Sequence, residues 1–282
     1  MKIALIPNKS KDKGFLVTRE IIKFMTSRGA ELYIENKYSS DDLSEVNIVE
    51  KLPLGLDLIL VIGGDGSVID ASVPATALDI PVLGVNLGNL GYLAEIEPSE
   101  IEKLSRLFDG DYAVEERMLL SCSVKCGDEY EESTRLAVNE VIVSHESYLG
   151  LAKLKLTEAN GAGVKLRADG LILATPIGST AYSLSAGGPV VSHDIDSIVA
   201  TPICPHSFFN RSIIFKPDEE LSVTNEGSDS LNVSIDGRFF AKLSSGGVCK
   251  ITTAAKRFKM ITFSENNMFH TLFGKMKRFE YI

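Results

Sequence analysis

Gly63-Gly64-Asp65-Gly66 stands directly behind the aliphatic run Leu58 to Ile62. A run of this kind fits a strand buried on both faces of a parallel sheet. Three glycines around one carboxylate leave backbone N–H groups bare, and bare N–H groups at a strand end suit phosphate oxygens. Asp65 itself repels phosphate, so it needs another task. It can take the proton of an attacking hydroxyl, or it can help hold a divalent metal that bridges phosphates. A tight turn whose aspartate caps the next segment is the plainer alternative.

Further polar groups interrupt or follow apolar runs. Asn139-Glu140 lies inside Leu136 to Val143, and a buried Glu in a strand costs free energy unless it is paired or liganded. The two side chains of an ideal strand point to opposite faces, so a bulge is needed if both touch one ligand. Arg167-Ala168-Asp169-Gly170 precedes the apolar run Leu171 to Ala174, and Thr175 to Pro189 follows it. That loop is rich in hydroxyls and glycine and has one aromatic residue, Tyr182. It offers stacking to a base and hydrogen bonds to sugars.

The elements that must position these groups come in two textures. Up to about Gly110, strands and helices alternate, which means an α/β layer with crossovers. Lys2 to Pro7 reads as a strand, Asn8 to Gly14 as a polar loop, Phe15 to Ser27 as a helix and Ala30 to Glu35 as a strand. Ser39 to Lys51 reads as a loop with a short helix. Ser67 is placed to cap a helix from Val68, which Pro74 breaks or kinks early. Ile80 to Val85 is another buried strand, ending in a second glycine-bearing loop from Asn86 to Leu93. Ser99 and Glu102 form a capping box for a helix reaching Phe108. Both glycine loops fall at the carboxyl ends of strands, where ligands sit in such sheets.

After Gly110 short strands dominate. Met118 to Cys126 and Arg135 to Ser144 flank an acidic turn, and the alternation around Asn160-Gly161 is a hairpin signature. Leu221 to Asn225, Leu231 to Asp236 and Val248 to Phe263 continue the pattern. Asn266 to Phe279 returns to helical period and reads as a closing helix. The expected division is therefore an α/β domain over 1–110, a mostly antiparallel β domain over 111–263, and a last helix over 264–282.

Composition narrows the function. The 282 residues are 44% hydrophobic and carry a net charge of −9, which argues against nucleic acid as the main partner. No apolar run approaches the roughly 20 residues of a membrane helix, and the first residues are too short for a signal peptide, so a cytoplasmic protein is expected. The four cysteines include no Cys-x-x-Cys pair and the four histidines show no ligand spacing. A zinc site is not indicated and reduced thiols are expected.

Gly64-x-Gly66 lacks the third glycine of a dinucleotide fingerprint, since Ile69 occupies that place, and no Walker motif occurs. Gly63 to Gly66, Asn86 to Leu93, Asn139-Glu140, Asp169 to Pro176 and Gly178 to Pro189 instead resemble, in order and spacing, the NAD kinase family. Pro205-His206 and Asp236-Gly237 fit its later segments. The glycine motif alone is shared with 6-phosphofructokinases and lipid kinases, whereas the Ser179-Thr180-Ala181-Tyr182 loop with Asn139-Glu140 upstream is specific.

The resemblance implies transfer of the ATP γ-phosphoryl group to the 2′-hydroxyl of the adenosine ribose of NAD, with a divalent ion, usually Mg²⁺, accompanying ATP. It implies Asp65 as general base, with Gly64 and Gly66 beside it in the dinucleotide site. Asn139 and Glu140 become ribose-hydroxyl contacts. Thr180, Ala181, Tyr182, Ser183, Leu184 and Ser185 become the dinucleotide-binding loop. Arg167 and Asp169 would face the same site, and Arg238 matches a ligand-contact position. No protein metal site is implied. An N-terminal Rossmann-like α/β domain, a C-terminal antiparallel β-sandwich-like domain and a C-terminal segment returning to the first domain are implied, as is a homodimer or homotetramer with sites at subunit contacts. Ser67, Tyr92 and Ile177 depart from the family's commoner residues. Ile177 forgoes a hydroxyl contact worth about 1 kcal/mol. A lipid or sugar-phosphate kinase, or a non-catalytic dinucleotide sensor, are the competing readings. Neither the Asn139-Glu140 pair nor the Tyr182 loop has a reason in the first, and Asp65 has none in the second.

Overall fold

The computed structural model describes residues 1–40, 43–88, 91–126, 129–145, 150–206 and 210–263. The expected closing helix over 264–282 lies outside them. The chain divides into two compact units, one containing Met1–Glu116 and the chain from Phe258, the other Arg117–Arg257.

The first unit is a seven-stranded sheet with helices. Its strands are β1 (Lys2–Pro7), β2 (Glu31–Glu35), β3 (Asn47–Val49), β4 (Leu58–Gly63), β5 (Val82–Asn86), β6 (Ala113–Arg117) and the last strand of the chain, β19 (Phe258–Thr262). The order is β3-β2-β1-β4-β5-β19-β6. β1 pairs in parallel with both β2 and β4, so the strand order reverses at β1 and β4. Every residue of β4 is buried, as its aliphatic run requires. α1 (Leu16–Thr26) buries Ile21, Ile22 and Met25 against the sheet core. α2 (Asp65–Leu78) follows β4 after one residue.

Several local expectations are corrected here. α2 starts at Asp65, with extended Gly64 as its cap, and not at Val68. Ser67 cannot be that cap, because it lies inside the helix and its hydroxyl accepts the Asn8 side-chain N–H at 2.8 Å. Pro74 does not end α2, which runs on to Leu78 with Pro74 exposed. The capping box is Glu97 with Glu100, not Ser99 with Glu102, because Pro98 takes the first helical position and fixes the entry. It opens a 3₁₀ stretch, Pro98–Ser105, that passes into α3 (Arg106–Asp109). No helix stands among the described residues of 39–51, which hold strand β3; the 3₁₀ turn before them is at Asn36–Tyr38.

The second unit holds two six-stranded antiparallel sheets. Its strands are β7 (Leu120–Cys126), β8 (Glu129–Ala137), β9 (Glu140–His145), β10 (Ala152–Glu158), β11 (Gly163–Ala168), β12 (Gly170–Ala174), β13 (Ile198–Ile203), β14 (Ile213–Phe215), β15 (Leu221–Asn225), β16 (Leu231–Ile235), β17 (Arg238–Leu243) and β18 (Val248–Thr253). The sheets run β11-β10-β15-β18-β7-β8 and β14-β13-β12-β9-β16-β17. One apolar core, with Leu120, Leu154 and Val223 from the first sheet and Val141, Leu171 and Val233 from the second, joins them. The expected hairpin at Asn160-Gly161 pairs β10 antiparallel with β11, with Leu154 opposite Leu166.

The unit boundary differs from the expected break at 110. The chain re-enters the first sheet with β19, in parallel with β5 through Met260 and Val82. Phe258, Met260 and Ile261 are buried there. An apolar strand of period two reads alike whichever sheet receives it.

Candidate active site

In the first unit the site is built at the strand-order reversal. The chain leaves β1 at Asn8 and β4 at Gly64, side by side, and the Asn8 N–H donates to the Ile62 carbonyl at 2.8 Å. Such a switch point is where open α/β sheets take ligands. Asp65, at the first position of α2, is partly buried. Its Oδ2 accepts the Tyr92 N–H at 2.8 Å and its Oδ1 the Leu93 N–H at 3.1 Å. The second glycine loop thus fixes the carboxylate by its backbone. A Cβ on Gly91 would lie 2.0 Å from Asp65 Oδ1, so only glycine lets the loop come this close. Burial, and behind it the Asp65 carboxylate, hold the Tyr92 phenol above its usual range.

In the second unit the predicted strand over 135–144 is broken at Val138-Asn139, between β8 and β9. The break supplies the departure from strand geometry that the Asn139-Glu140 pair needs. Asp236 holds it open, accepting the N–H groups of Val138 at 2.9 Å, Asn139 at 2.8 Å and Glu140 at 3.1 Å. Asp236 and Gly237 have φ of +47° and +75° and form the two-residue turn of the β16–β17 hairpin.

Glu140 is buried, 5% exposed, and its Oε2 has no hydrogen-bond partner among the described residues. Burial, and then the charge of Asp236, push its pKa up to about 7, against the pull of a hydrogen bond from the Tyr182 backbone. Asp236 is also raised, by burial, with its three N–H donors and Arg238 opposing.

The Thr175 loop packs against the same break. Thr175 Oγ1 donates to the Val138 carbonyl at 2.6 Å, and the Thr175 N–H donates to Asn139 at 2.8 Å. A Cβ on Gly178 would lie 2.0 Å from the Asn139 carbonyl oxygen. The loop turns through a 3₁₀ segment, Gly178–Thr180, into α4 (Tyr182–Ser185). Tyr182, Leu184 and Ser185 are exposed, and Thr180 and Ala181 partly so.

Two expectations about individual residues change. Ser183 is fully buried and its hydroxyl bonds to Thr201 at 3.0 Å, so its side chain braces the loop. Arg167 and Asp169 do not join the Glu140 cluster of their own chain. β9 and β12 run antiparallel, with Ala174 opposite Glu140 and Gly170 opposite Ser144. Asp169 is therefore just past the far end of β12, about 17 Å away by strand rise. Arg238 opens β17 directly after the Asp236 turn.

The sequence reading gave no role to two residues that the geometry brings forward. Asp236 entered only as part of a matching dipeptide, although Asp-Gly between alternating strands is a turn signal. Lys11, in the polar loop after β1, belongs to no sequence motif. Its Nζ is 2.5 Å from where a Gly64 Cβ would stand and 3.8 Å from where a Gly88 Cβ would stand.

Residues 3–112 match the family model for the ATP-NAD kinase N-terminal domain, and residues 138–263 that for the ATP-NAD kinase C-terminal domain. An NAD kinase of Caldanaerobacter subterraneus subsp. tengcongensis is 33% identical over 284 residues, covering 98% of each chain. One of Citrifermentans bemidjiense is 34% identical over 284 residues, with the same coverage. Among solved structures, an NAD kinase from Archaeoglobus fulgidus in complex with ATP has a TM-score of 0.71 at 25% identity, covering 98% of this chain and 99% of that one. Yeast NADH kinase complexed with NADH has a TM-score of 0.86 at 23% identity, covering 96% and 86%, a likeness of fold. With matches to both halves and relatives of this identity along nearly its whole length, the chain belongs to the NAD kinase family.

Proposed function

We propose that this chain, an NAD kinase by family, uses Asp65 as the general base of phosphoryl transfer. The family's reaction passes the γ-phosphoryl group of ATP to the 2′-hydroxyl of the adenosine ribose of NAD, giving NADP. The ribose oxygen bonds to the γ-phosphorus, the bond to the β–γ bridging oxygen breaks, ADP leaves, and the hydroxyl proton goes to Asp65. A ribose hydroxyl is a weak acid, so the base acts as the new bond forms, while positioning and charge supply most of the rest. The observation that carries this reading is the Asp65 carboxylate, fixed by the Tyr92 and Leu93 N–H groups at the switch point beside Gly64 and Gly66.

In the second unit, Asn139 and Glu140 are assigned to the ribose hydroxyls. The buried Glu140 Oε2 supports this, because a hydroxyl donor would supply the partner it lacks among the described residues. The exposed Tyr182 ring is assigned to stacking, with the backbone of Thr180 to Ser185 and the Arg238 side chain as further contacts.

No three His, Cys, Asp or Glu side chains converge as a metal cage among the described residues. Mg²⁺ carried on the phosphates of ATP needs at most one or two carboxylates from the protein, and Asp65 stands beside the glycine loop to offer one. When bound, the ion neutralises phosphate charge.

Arg167 and Asp169 support a homodimer or homotetramer, since they lie at the end of β12 away from Glu140 and can serve a partner's site. Mixing Asp169→Asn with Asp65→Asn chains should then restore activity that neither has alone. Continued inactivity of the mixture counts against shared sites. A cytoplasmic location is supported by free thiols at Cys122, Cys204 and Cys249 and is checked by cell fractionation. No helix among the described residues is long and apolar enough to cross a membrane.

The test of the base is NADP formation from ATP, Mg²⁺ and NAD, followed with an NADP-specific dehydrogenase. Asp65→Asn should keep the fold and NAD binding and lose turnover by at least about 100-fold. Near-normal turnover in that variant would rule Asp65 out.

A further inference from the structure

Lys11 stands where the two glycine loops of the first unit meet. Its Nζ lies against Gly64, at the entry to α2, and near Gly88, just past β5. The loop carrying it is fixed at both ends. Asn8 is tied to β4 through the Ile62 carbonyl and to α2 through Ser67 Oγ. Its carbonyl accepts the N–H groups of Lys11 and Asp12 at 3.0 and 2.9 Å. Asp12 is buried and caps α1, accepting the Val17 N–H at 3.1 Å and the Thr18 N–H at 2.9 Å. The backbone of Lys11 is thus held relative to Gly64, and its exposed side chain is open to a ligand.

The site needs such a cation. The chain carries a net charge of −9 and puts a carboxylate, Asp65, at the head of α2. Backbone N–H groups there are partial charges, and Asp65 opposes them. The chain also lacks a Walker motif, so it has no motif lysine for phosphates. A lysine ammonium over bare glycine backbone supplies the missing full charge and up to three donors.

We propose that Lys11 binds the triphosphate of the ATP donor. The assignment rests on the kinase reading above. It concerns the phosphates and not the adenosine or NAD, which gives it a distinct signature.

The experiment measures steady-state rates and inhibition for the full chain, Lys11→Met and Lys11→Arg. In Lys11→Met, kcat/KM for ATP should fall about 10- to 100-fold, the usual range for one charge-assisted contact, with KM for NAD within about twofold. Inorganic tripolyphosphate should inhibit the unaltered enzyme and lose potency on Lys11→Met by a similar factor, while inhibition by adenosine stays the same. Lys11→Arg should recover most of the loss. An unchanged kcat/KM for ATP in Lys11→Met overturns the proposal. So does an equal loss for tripolyphosphate and adenosine, which is what general damage to the loop produces. The kinase reading itself fails on another observation, the absence of ATP-dependent NADP from the unaltered chain.

Discussion

Asp236 and Asn139 are 97 positions apart, yet the Asn139 N–H donates to Asp236 Oδ1 at 2.8 Å. The same carboxylate takes the Val138 and Glu140 N–H groups on either side. Asp236 therefore acts as a brace for the break between β8 and β9, and through Asn139 for the Thr175 loop that packs on it.

Removing the brace should cost both stability and binding. Asp236→Ala leaves three N–H groups seeking partners, each costing on the order of 1 kcal/mol or more. Urea denaturation should show a loss of at least about 3 kcal/mol with an unchanged m-value. KM for NAD should rise more than kcat falls. A stability within about 0.5 kcal/mol of the parent would show that the bonds carry little.

Glu140 gives the protein a pH signature. Its pKa in the folded chain is up at about 7, above the carboxylate range of an unfolded chain. Between those values the folded state binds the extra proton, so this group's contribution to stability is full at low pH and is lost as pH rises to about 7. Glu140→Gln should flatten that slope, seen as melting temperature against pH. If ribose hydroxyls donate to the carboxylate, KM for NAD should fall as pH rises through about 7, and the variant should show no such trend.

Gly91 sets the place of Asp65. A methyl group there would meet Asp65 Oδ1 at 2.0 Å and Cγ at 2.9 Å, so the carboxylate must turn away. Gly91→Ala should lower kcat about 100-fold, the usual scale for misplacing a reacting group by an ångström, while thermal shift still reports NAD binding. Unchanged kcat would mean that Asp65 need not hold this position.

Pro74 tests the independence of α2 from its proline. It sits inside the helix on the exposed side and has no N–H to give to the preceding turn. Pro74→Ala should raise stability by about 1 kcal/mol, the helical gain offset in part by a freer unfolded chain. Turnover should not change, since the site is at the other end of the helix.

Much of the architecture was legible from order along the chain. The β4 run and its glycines, the alternation around Asn160-Gly161 and a glutamate inside an apolar run are local patterns, and local sterics and burial decide them. The family could be recognised for the same reason, because its motifs are contiguous. Tertiary structure decided what each polar side chain does. Ser67 reads as a helix cap but bonds to Asn8, and Ser183 reads as a ligand contact but bonds to Thr201. Arg167 and Asp169 stand one short strand before the Thr175 loop in the chain, but antiparallel pairing puts them at the end of β12 away from Glu140. Asp236 and Lys11 acquire their places only when distant strands lie side by side. A side-chain hydroxyl, carboxylate or ammonium can satisfy its bonds with many partners, and sequence spacing does not say which one the register of a sheet will bring within reach.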